Sequence, residues 1–249
     1  MRAILTYHSI DESGSPISVA PATFRRHVEW LASGRVRVVP LEEIVRLNDA
    51  VDAVALTFDD AFSNFADVAW PRLREYSLPA TLFVVPGHVG ATNAWGGQSD
   101  PRVPTLPLLD WIALGRLAEQ GAHIGAHSRT HPHLTRLDQP ALVDELAGGA
   151  EAIHRELGRM PEDFAYPYGD TSPVVAAAAG QVYRRAVTTE LRVLGAGDDP
   201  LGLPRLDSFY LQAPGRLESW GTPAFSSRLW VRGRARWLRR SLPALGGKW

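Results

Sequence analysis

Short apolar runs alternate with helical patterns along almost the whole chain. Eight runs predict strands: Ala3 to Tyr7, Val36 to Val39, Ala53 to Phe58, Ala80 to Val85, His123 to Ala126, Asp163 to Tyr166, Arg185 to Thr188 and Leu203 to Leu206. Between them, apolar residues at helical spacing predict amphipathic helices packed on the strands: Phe24, His27, Val28 and Leu31; Leu109, Ile112 and Leu117; Leu142, Leu146, Ile153 and Leu157. This alternation is typical of βα units built on a parallel sheet or barrel.

Length and composition favour one main α/β domain. The chain has 249 residues, of which 45% are hydrophobic, and this is enough for a substantial core. We place the domain at residues 1–215 and a basic C-terminal segment at residues 216–249. That segment holds eight Arg and Lys but only one acidic residue, Glu218, so its net charge is +7, whereas the rest of the chain carries −8. The sequence therefore predicts a polarised molecule, an acidic body with a basic tail.

Charge, cysteine content and apolar segments exclude several classes of protein. A formal net charge of −1 argues against a nucleic-acid binder, and the absence of cysteine excludes disulfides, thiolate metal sites and a cysteine nucleophile. The apolar run after Met1 is too short for a secretory signal, and no segment reaches transmembrane length. We therefore expect a cytoplasmic protein whose available metal ligands are histidines and carboxylates.

The C-terminal segment carries its own helical pattern among arginines. Its apolar positions are Trp230, Trp237, Leu238, Leu242, Leu245 and Trp249. A basic amphipathic helix with Trp on its apolar side suits an anionic membrane surface or an acidic partner, so residues 228–249 predict peripheral membrane contact. Packing of the apolar side on the barrel, with the arginines in water, is the equal alternative. Gly233 and Pro243 are expected to interrupt the helix.

One connection differs from the others in composition. Residues 87–107 are rich in Gly, Pro, Asn and Ser, and Trp95 lies between Asn93 and Gly96. This composition predicts a long surface loop, which would either line a substrate groove or be a mobile connection.

Two carboxylates follow the third predicted strand. Asp59 and Asp60 come directly after a mostly apolar run, where parallel strands emerge and α/β active sites gather. Because successive strand side chains diverge, one carboxylate can bind a metal while the other faces a substrate. A second doublet, Asp198 and Asp199, lies in a Gly-rich stretch and is interpreted as a turn.

Two histidines follow the fifth predicted strand. His127 and His131 are four residues apart, and on one helical turn this spacing would let both hold a single ion. With Asp60 they complete the two-imidazole, one-carboxylate set of catalytic zinc with open positions for water. His123, earlier in the strand, is interpreted as a core histidine, and His133 as an exposed residue or one that lies behind the ligands.

Residues 166–169, Tyr-Pro-Tyr-Gly, end another strand. Pro and Gly fix a tight turn, whose backbone N–H groups would either point at developing charge or close a plain turn.

Together these stretches resemble the polysaccharide deacetylases of carbohydrate esterase family 4, the NodB-homology domain. The resemblance runs from about residue 2 to residue 210. The Thr-Phe-Asp-Asp-Gly motif is present at residues 57–61 with Ala61 in place of Gly, and the His-Ser/Thr-x-x-His motif is intact at residues 127–131. The third motif, a Pro-Tyr-Gly turn, is present at residues 167–169.

The resemblance implies a fold and a set of roles. The fold is an α/β distorted (β/α) barrel over residues 1–215. Asp59 is the general base, and the backbone N–H of Tyr168 forms part of an oxyanion hole. The ligands of Zn²⁺, or of another divalent transition metal, are Asp60, His127 and His131.

Three departures from the family pattern affect these roles. Ala61 in place of Gly is a small change that alters the turn geometry slightly. The arginine that normally precedes the Pro-Tyr turn and braces the base is absent; Arg205 would brace Asp59 from another strand, or else it is an ordinary surface residue. No histidine follows His154, so the family's C-terminal general-acid histidine has no counterpart. His8, after Tyr7, resembles the N-terminal Tyr-His element of a branch that includes poly-N-acetylglucosamine deacetylases, and it would protonate the leaving amine.

The implied activity is that of a metal-dependent hydrolase that removes N-acetyl, or other N-acyl, groups from an amino sugar in a glycan or glycan precursor. Its partner would be an N-acetylated sugar. Two alternatives stay open. One is a deformylase or other linear-amide hydrolase that acts on a lipid-linked or non-sugar substrate, and the other is a non-catalytic relative that binds glycan or membrane.

Overall fold

A computed structural model describes residues 1–96 and 100–241, with side chains described as far as Ala235. Its strands are β1 Arg2–Tyr7, β2 Ser9–Ile10, β3 Ser18–Val19, β4 Arg37–Val38, β5 Ala53–Phe58, β6 Thr81–Val84, β7 His123–Ala126, β8 Asp163–Ala165, β9 Arg185–Val187 and β10 Leu206–Asp207. Its helices are α1 Pro21–Ala32, α2 Leu41–Ile44, α3 Trp70–Glu75, α4 Trp111–Glu119, α5 Gln139–Val143, α6 Gly149–Leu157, α7 Pro173–Ala179 and α8 Pro223–Ser241. A π-helical turn, Asp144–Gly148, joins α5 to α6.

Eight of these strands form one parallel sheet, in the order β10-β1-β5-β6-β7-β8-β9, with β4 also on β5. β4 pairs with the beginning of β5 at Ala53, and β6 pairs with its end, from Thr57 onward. A parallel bridge between Val187 and Leu203 joins the two ends of the sheet. The predicted distorted (β/α) barrel is therefore confirmed.

The last predicted strand, Leu203 to Leu206, differs most from the observed one. Leu203 forms only the isolated bridge, and the ladder with β1 begins where Leu206 pairs with Leu5. Pro204 has no N–H to donate, and the Arg205 N–H donates to the Glu190 carbonyl at 3.0 Å instead of to the ladder. The backbone N–H of Arg205 is therefore bound by the loop at Glu190 and not by a neighbouring strand.

Both faces of the sheet are buried, as parallel strands between helices require. Along β1, Ala3, Leu5 and Tyr7 belong to the main cluster with the helices. Ile4, between them, packs inside the barrel with small side chains such as Ala53. Successive residues of the strand are apolar because those on one face pack against the helices and those on the other face pack inside the barrel.

One of the predicted helical patterns is partly wrong. Asp110 caps α4 by accepting a hydrogen bond from the Ala113 N–H at 2.7 Å, so Leu109 precedes the helix. Ile112 is 67% exposed, and the buried side of α4 is formed by Leu114 and Leu117. The pattern from Leu142 to Leu157 is confirmed over α5, the π-helical turn and α6.

The basic helix α8 passes through Gly233, so the predicted interruption there is wrong. A Cβ at Gly233 would lie 2.9 Å from the Leu191 carbonyl oxygen, so glycine lets the helix approach the barrel closely. Phe225 and Leu229 are buried in the main cluster, while Trp230 is 64% exposed. Pro243 and the apolar positions from Trp237 onward lie outside the described side chains. No described helix has both the length and the apolar character that crossing a membrane demands.

Candidate active site

The paired ends of β1 and β5 place His8 beside Asp59. Tyr7 and Phe58 are register partners, and their rings stack with centroids 5.1 Å apart. The Asp59 N–H donates to the Tyr7 carbonyl at 2.9 Å, which continues the ladder by one residue. His8 Nε2 lies 3.7 Å from Asp59 Oδ2, and the His8 side chain is 24% exposed. The residues predicted as acid and base therefore face one another.

Arg205 forms a bidentate ion pair with Asp59, with both N–H···O distances at 2.7 Å. Its Nε–H donates to the Thr188 carbonyl at 2.9 Å, and Arg205 is only 1% exposed. The alternative that Arg205 is an ordinary surface residue is wrong. Its side chain reaches the base from the segment that precedes β10, which the bridge between Leu203 and Val187 holds beside the end of β9.

The charge state of Asp59 depends on opposing effects. Burial raises the pKa of this carboxyl, but the charge and hydrogen bonds of Arg205, together with smaller contributions from nearby histidines, outweigh burial, so the net pKa lies below the ordinary value of 3.8. Asp59 is therefore ionised at neutral pH.

Asp60, His127 and His131 form a buried cluster whose ligand atoms all lie within 4.8 Å of one another. Asp60 Oδ1 is 3.5 Å from His127 Nε2 and 3.6 Å from His131 Nε2. His127 Nδ1 lies 2.7 Å from the Ala165 carbonyl, so this nitrogen is the donor and Nε2 is left as the lone pair that faces Asp60.

The cluster fits a divalent cation on chemical grounds. Among the described residues, none donates a hydrogen bond to the buried Asp60 Oδ1. Burial, and then the charge of Asp59, raise the pKa of Asp60 well above its usual value. Burial lowers the pKa of His127 to about 4 and that of His131 well below its usual value, which keeps both imidazoles neutral. A neutral imidazole pair beside a carboxylate without a counter-charge is the donor set that Zn²⁺ prefers.

The two histidines converge through a loop, which we call the ligand loop (residues 127–131), and the predicted helical turn is wrong. Ser128 and His131 have positive φ values of 59° and 63°, and the His131 N–H donates to Ser128 Oγ at 2.9 Å. Asp60 and Ala61 are also left-handed, with φ of 72° and 58°. Non-glycine residues in this region carry strain of about 1 kcal/mol or more, a common feature of functional sites. The family's Gly at position 61 is consistent with this backbone conformation.

The predicted surface loop contributes the wall of the site. Trp95 is buried and stacks on His131, with ring centroids 4.2 Å apart. Asn93 holds the loop, because its side chain accepts from the Leu106 N–H at 2.7 Å and donates to the Pro104 carbonyl at 3.0 Å. Residues 97–99 lie outside the described part of the chain. The prediction that this loop borders the site is therefore supported at Trp95.

The turn at residues 166–169, which we call the Tyr168 turn, also borders the site. Tyr168 has φ of 58°, and its ring lies between those of His131 and His133, with centroid distances of 4.6 and 4.3 Å. Gly169 also has a positive φ, of 65°, and a Cβ there would be 2.1 Å from Thr189 Oγ1. The turn thus requires glycine on both grounds. The oxyanion role of the Tyr168 N–H stays a prediction.

These side chains enclose a cavity of about 100 Å³ at the carboxyl ends of the strands. His8, Asp59 and Asp60 line it together with both ligand histidines and Tyr168. Ile17 and Thr189 also line it, and no sequence motif marks either of them. The only signal for Trp95 is the unusual composition of its loop.

His123 lies at the other end of the sheet, and its interpretation as a core histidine is wrong. Its side chain is 46% exposed, and Nε2 pairs with Asp163 Oδ2 at 2.9 Å. His133 is partly exposed and stacks on Tyr168, so it lies behind the site as predicted. Asp198 accepts from the Gly195 N–H at 2.8 Å, which confirms the predicted turn there.

A sequence model of the family described as polysaccharide deacetylase matches residues 47–187, more than half of the chain. The chain belongs to the polysaccharide deacetylase family. The matched span contains the carboxylate doublet, the ligand loop and the Tyr168 turn. His8 and Arg205 lie outside it, so the two residues considered as replacements for family residues come from segments before and after the matched span.

Known proteins agree with this assignment. A poly-beta-1,6-N-acetyl-D-glucosamine N-deacetylase of Staphylococcus aureus is 24% identical over 181 residues, which are 65% of this chain and 58% of that protein. The chain spans about three fifths of the length of the curated relatives it matches first, 64% and 58%.

Two solved structures show the same fold. IcaB from Ammonifex degensii superposes with a TM-score of 0.71 at 23% identity, over 90% of this chain and 96% of that one. The Streptococcus pyogenes deacetylase PplD, in complex with acetate, has a TM-score of 0.71 at 23% identity, over 82% of this chain and 91% of that one.

Proposed function

We propose that this polysaccharide deacetylase family member is a divalent-metal-dependent N-deacetylase that acts on an amino sugar of a glycan or glycan precursor. One observation carries the proposal. The buried Asp59–Arg205 ion pair lies directly beside the Asp60, His127 and His131 cluster, in one cavity that His8 also lines. The proposed base, metal ligands and acid thus all border the cavity in which a small acyl group would bind.

Asp60, His127 and His131 would hold the ion, with Zn²⁺ as the expected metal. When bound, such an ion acts as a Lewis acid on the acyl carbonyl and lowers the pKa of water at the site. Its positive charge would also compensate the buried Asp60 carboxylate.

Asp59 acts as the general base in this proposal. Arg205 donates one hydrogen bond to each carboxylate oxygen, which holds the group at the wall of the cavity and keeps it ionised. The same ion pair makes Asp59 a weak base, and a weak base is sufficient only for a water whose own pKa is lowered. Arg205 is therefore a positioning residue for the base, in the place of the arginine that the family carries before the Pro-Tyr turn.

His8 acts as the general acid. An amide nitrogen leaves poorly unless it is protonated, and His8 is the partly exposed imidazole at the mouth of the cavity, close to Asp59. The backbone N–H of Tyr168 would donate to the oxyanion that develops on the acyl oxygen. The reaction releases acetate and leaves a free amine on the sugar.

The dimensions of the cavity favour a small acyl group. A volume of about 100 Å³ corresponds to roughly three water molecules, which suits an acetyl or formyl group better than a long acyl chain. The S. aureus relative is named for a poly-N-acetylglucosamine substrate, which supports an N-acetylated amino sugar here. A formyl amide is the smaller alternative that the same cavity admits.

The first experiment is metal analysis followed by an acetate- and formate-release screen. Its substrates are N-acetylglucosamine oligomers, monosaccharide conjugates and lipid-linked sugars. One equivalent of a divalent transition metal with acetate release is expected. Release of formate alone would show that the enzyme removes a formyl group and not the proposed acetyl group. Bound metal without release of either acid would favour the non-catalytic alternative.

We also propose that α8 contacts an anionic membrane surface. Trp230 and Val231 are 64% and 58% exposed, and the Arg234 guanidinium carbon lies 5.1 Å from the Trp230 ring centroid. Exposed aromatic and apolar side chains beside arginine suit the interfacial region of anionic lipid. Cosedimentation with phosphatidylglycerol vesicles, but not with phosphatidylcholine vesicles, is expected. Trp230→Ala should weaken it, and equal binding to both lipids, or to neither, would contradict the contact.

A further inference from the structure

A buried carboxylate behind the ligand loop holds the loop by its backbone. Glu145, in the π-helical turn between α5 and α6, is 8% exposed. Its Oε2 accepts from the N–H groups of Arg129 and Thr130, at 2.9 and 2.8 Å, and its Oε1 accepts from Thr130 Oγ1 at 2.5 Å. All three donors lie between the two ligand histidines.

The loop is held on two other sides. The Gly87 N–H donates to the Arg129 carbonyl at 2.8 Å, and a Cβ at Gly87 would be 2.6 Å from that oxygen. At Gly149, a Cβ would be 3.2 Å from the Arg129 nitrogen, so the start of α6 also packs closely on the loop. The peptide that links His127 to His131 is therefore clamped between the loop after β6 and the π-helical turn.

Glu145 projects toward the loop because of its place in the π-helical turn, a kind of local distortion that is frequent at functional sites. The preceding residue, Asp144, binds the same segment quite differently. It accepts from the exposed Arg129 side chain at 2.7 and 2.6 Å and touches none of the loop backbone N–H groups. The two neighbouring acids thus provide a direct comparison between backbone and side-chain anchoring.

We propose that Glu145 is a positioning residue that sets the left-handed geometry of the ligand loop, and through it the separation of the two histidine ligands. The inference rests on the proposed metal function. The strained Ser128 and His131 conformations need external support, and three hydrogen bonds to one buried carboxylate supply it. Groups behind metal ligands commonly contribute about 10- to 100-fold to metal affinity.

The test measures Zn²⁺ affinity by competition with a chromophoric chelator, together with hydrogen exchange of a peptide that covers residues 127–131. Glu145→Ala should weaken Zn²⁺ binding about tenfold or more and speed exchange in the ligand loop. Glu145→Gln keeps an oxygen that can accept from both N–H groups, and it should recover most of the affinity.

Two matched variants separate positioning from general loss of stability. Asp144→Asn removes the exposed ion pair to the same loop and should leave both readouts unchanged. Tyr183→Phe removes the hydrogen bond from Tyr183 Oη to the Leu146 carbonyl, 2.7 Å long, in the same π-helical turn. It should lower stability without changing Zn²⁺ affinity.

Wild-type Zn²⁺ affinity in Glu145→Ala, or equal losses in Glu145→Ala and Tyr183→Phe, would overturn the inference. A wild-type protein that binds no divalent metal would instead overturn the proposed function. In that case unchanged exchange in Glu145→Ala would still show that the carboxylate does not order the loop.

Discussion

Two buried aspartates at opposite ends of the same sheet differ in how their charge is compensated. Asp163 begins β8 at the amino ends of the strands and pairs with Arg185 and with His123. Asp60 follows β5 at the carboxyl ends and has two neutral imidazoles and a second carboxylate around it. Burial raises the pKa of both, but at Asp163 the ion-pair partners lower it below its usual value, whereas the pKa of Asp60 stays raised.

The difference separates stability from function within one fold. At the amino ends Arg185 and His123 compensate the charge of Asp163, so this network of ion pairs stabilises the fold. At the carboxyl ends Arg205 pairs with Asp59, and among the described residues no Arg or Lys forms an ion pair with Asp60. This agrees with the general division of labour in βα barrels, in which chemistry gathers at the carboxyl ends of the strands.

Among the variants that keep the metal, Asp59→Asn should have the largest effect on activity. Loss of the general base is expected to lower turnover about 10²- to 10⁴-fold, while the metal content stays at the wild-type level because the three ligands remain. Steady-state kinetics with metal analysis of the same sample checks both. Asp163→Asn is the matched control at the other end of the sheet and should keep its turnover; full activity in Asp59→Asn would remove the base from the mechanism.

Asp163→Asn should have the largest effect on stability. It leaves Arg185 without its buried partner, which is expected to lower the free energy of unfolding by about 3–5 kcal/mol. Since the folded-state pKa of Asp163 lies below 3.8, its contribution is present above that pH and is lost as the pH falls through the lowered pKa. Denaturant unfolding from pH 3 to pH 7 should show this slope in the wild type and a weaker one in the variant. A variant as stable as the wild type at pH 7 would contradict the role of the ion pair.

His8→Ala should act only where the leaving group needs a proton. On an N-acetyl amide the rate is expected to fall about 10²-fold, and on an activated acetate ester much less, because that leaving group departs without protonation. The ratio of the two rates is the measurement. Equal losses on both substrates would indicate damage to the site rather than loss of an acid.

Asp60→Asn should have the smallest effect on the stability of the metal-free protein, with the opposite sign to Asp163→Asn. In metal-free protein it removes a buried carboxyl group whose ionisation is disfavoured by burial and by Asp59, so the free energy of unfolding should rise by about 1–2 kcal/mol while Zn²⁺ binding is lost. Unfolding in the presence of a chelator measures it. If both Asp→Asn changes destabilise the metal-free protein, the two ends of the sheet do not differ as described.

Much of the fold could be predicted from the sequence, because the strands are short apolar runs buried on both faces. The exceptions have local causes. Pro204 and the Arg205 N–H, which donates outside the sheet, shorten the last strand. Gly233 does not interrupt α8, because its missing side chain lets the helix pack closely on Leu191. His123 was expected in the core, but it is the first residue of β7, is exposed, and pairs with Asp163.

The candidate site was predictable where residues are close in sequence and less so where the fold brings them together. The doublet and the histidine pair follow strands, so their meeting at one edge is expected. That Arg205 pairs with Asp59 depends on how the sheet closes, which sequence spacing does not specify. Glu145 has no sequence signal, because an acidic residue between Leu142 and Leu146 also fits an exposed helix position.

The most direct test of the central claim is denaturant unfolding of the wild type, Asp60→Asn and Asp163→Asn, with and without Zn²⁺. With free Zn²⁺ at about 100 times its Kd, the wild type and Asp163→Asn should each gain about 2.7 kcal/mol, and Asp60→Asn should gain nothing. No gain in the wild type, or an equal gain in Asp60→Asn, would contradict a metal site built on the buried carboxylate at the carboxyl ends of the strands.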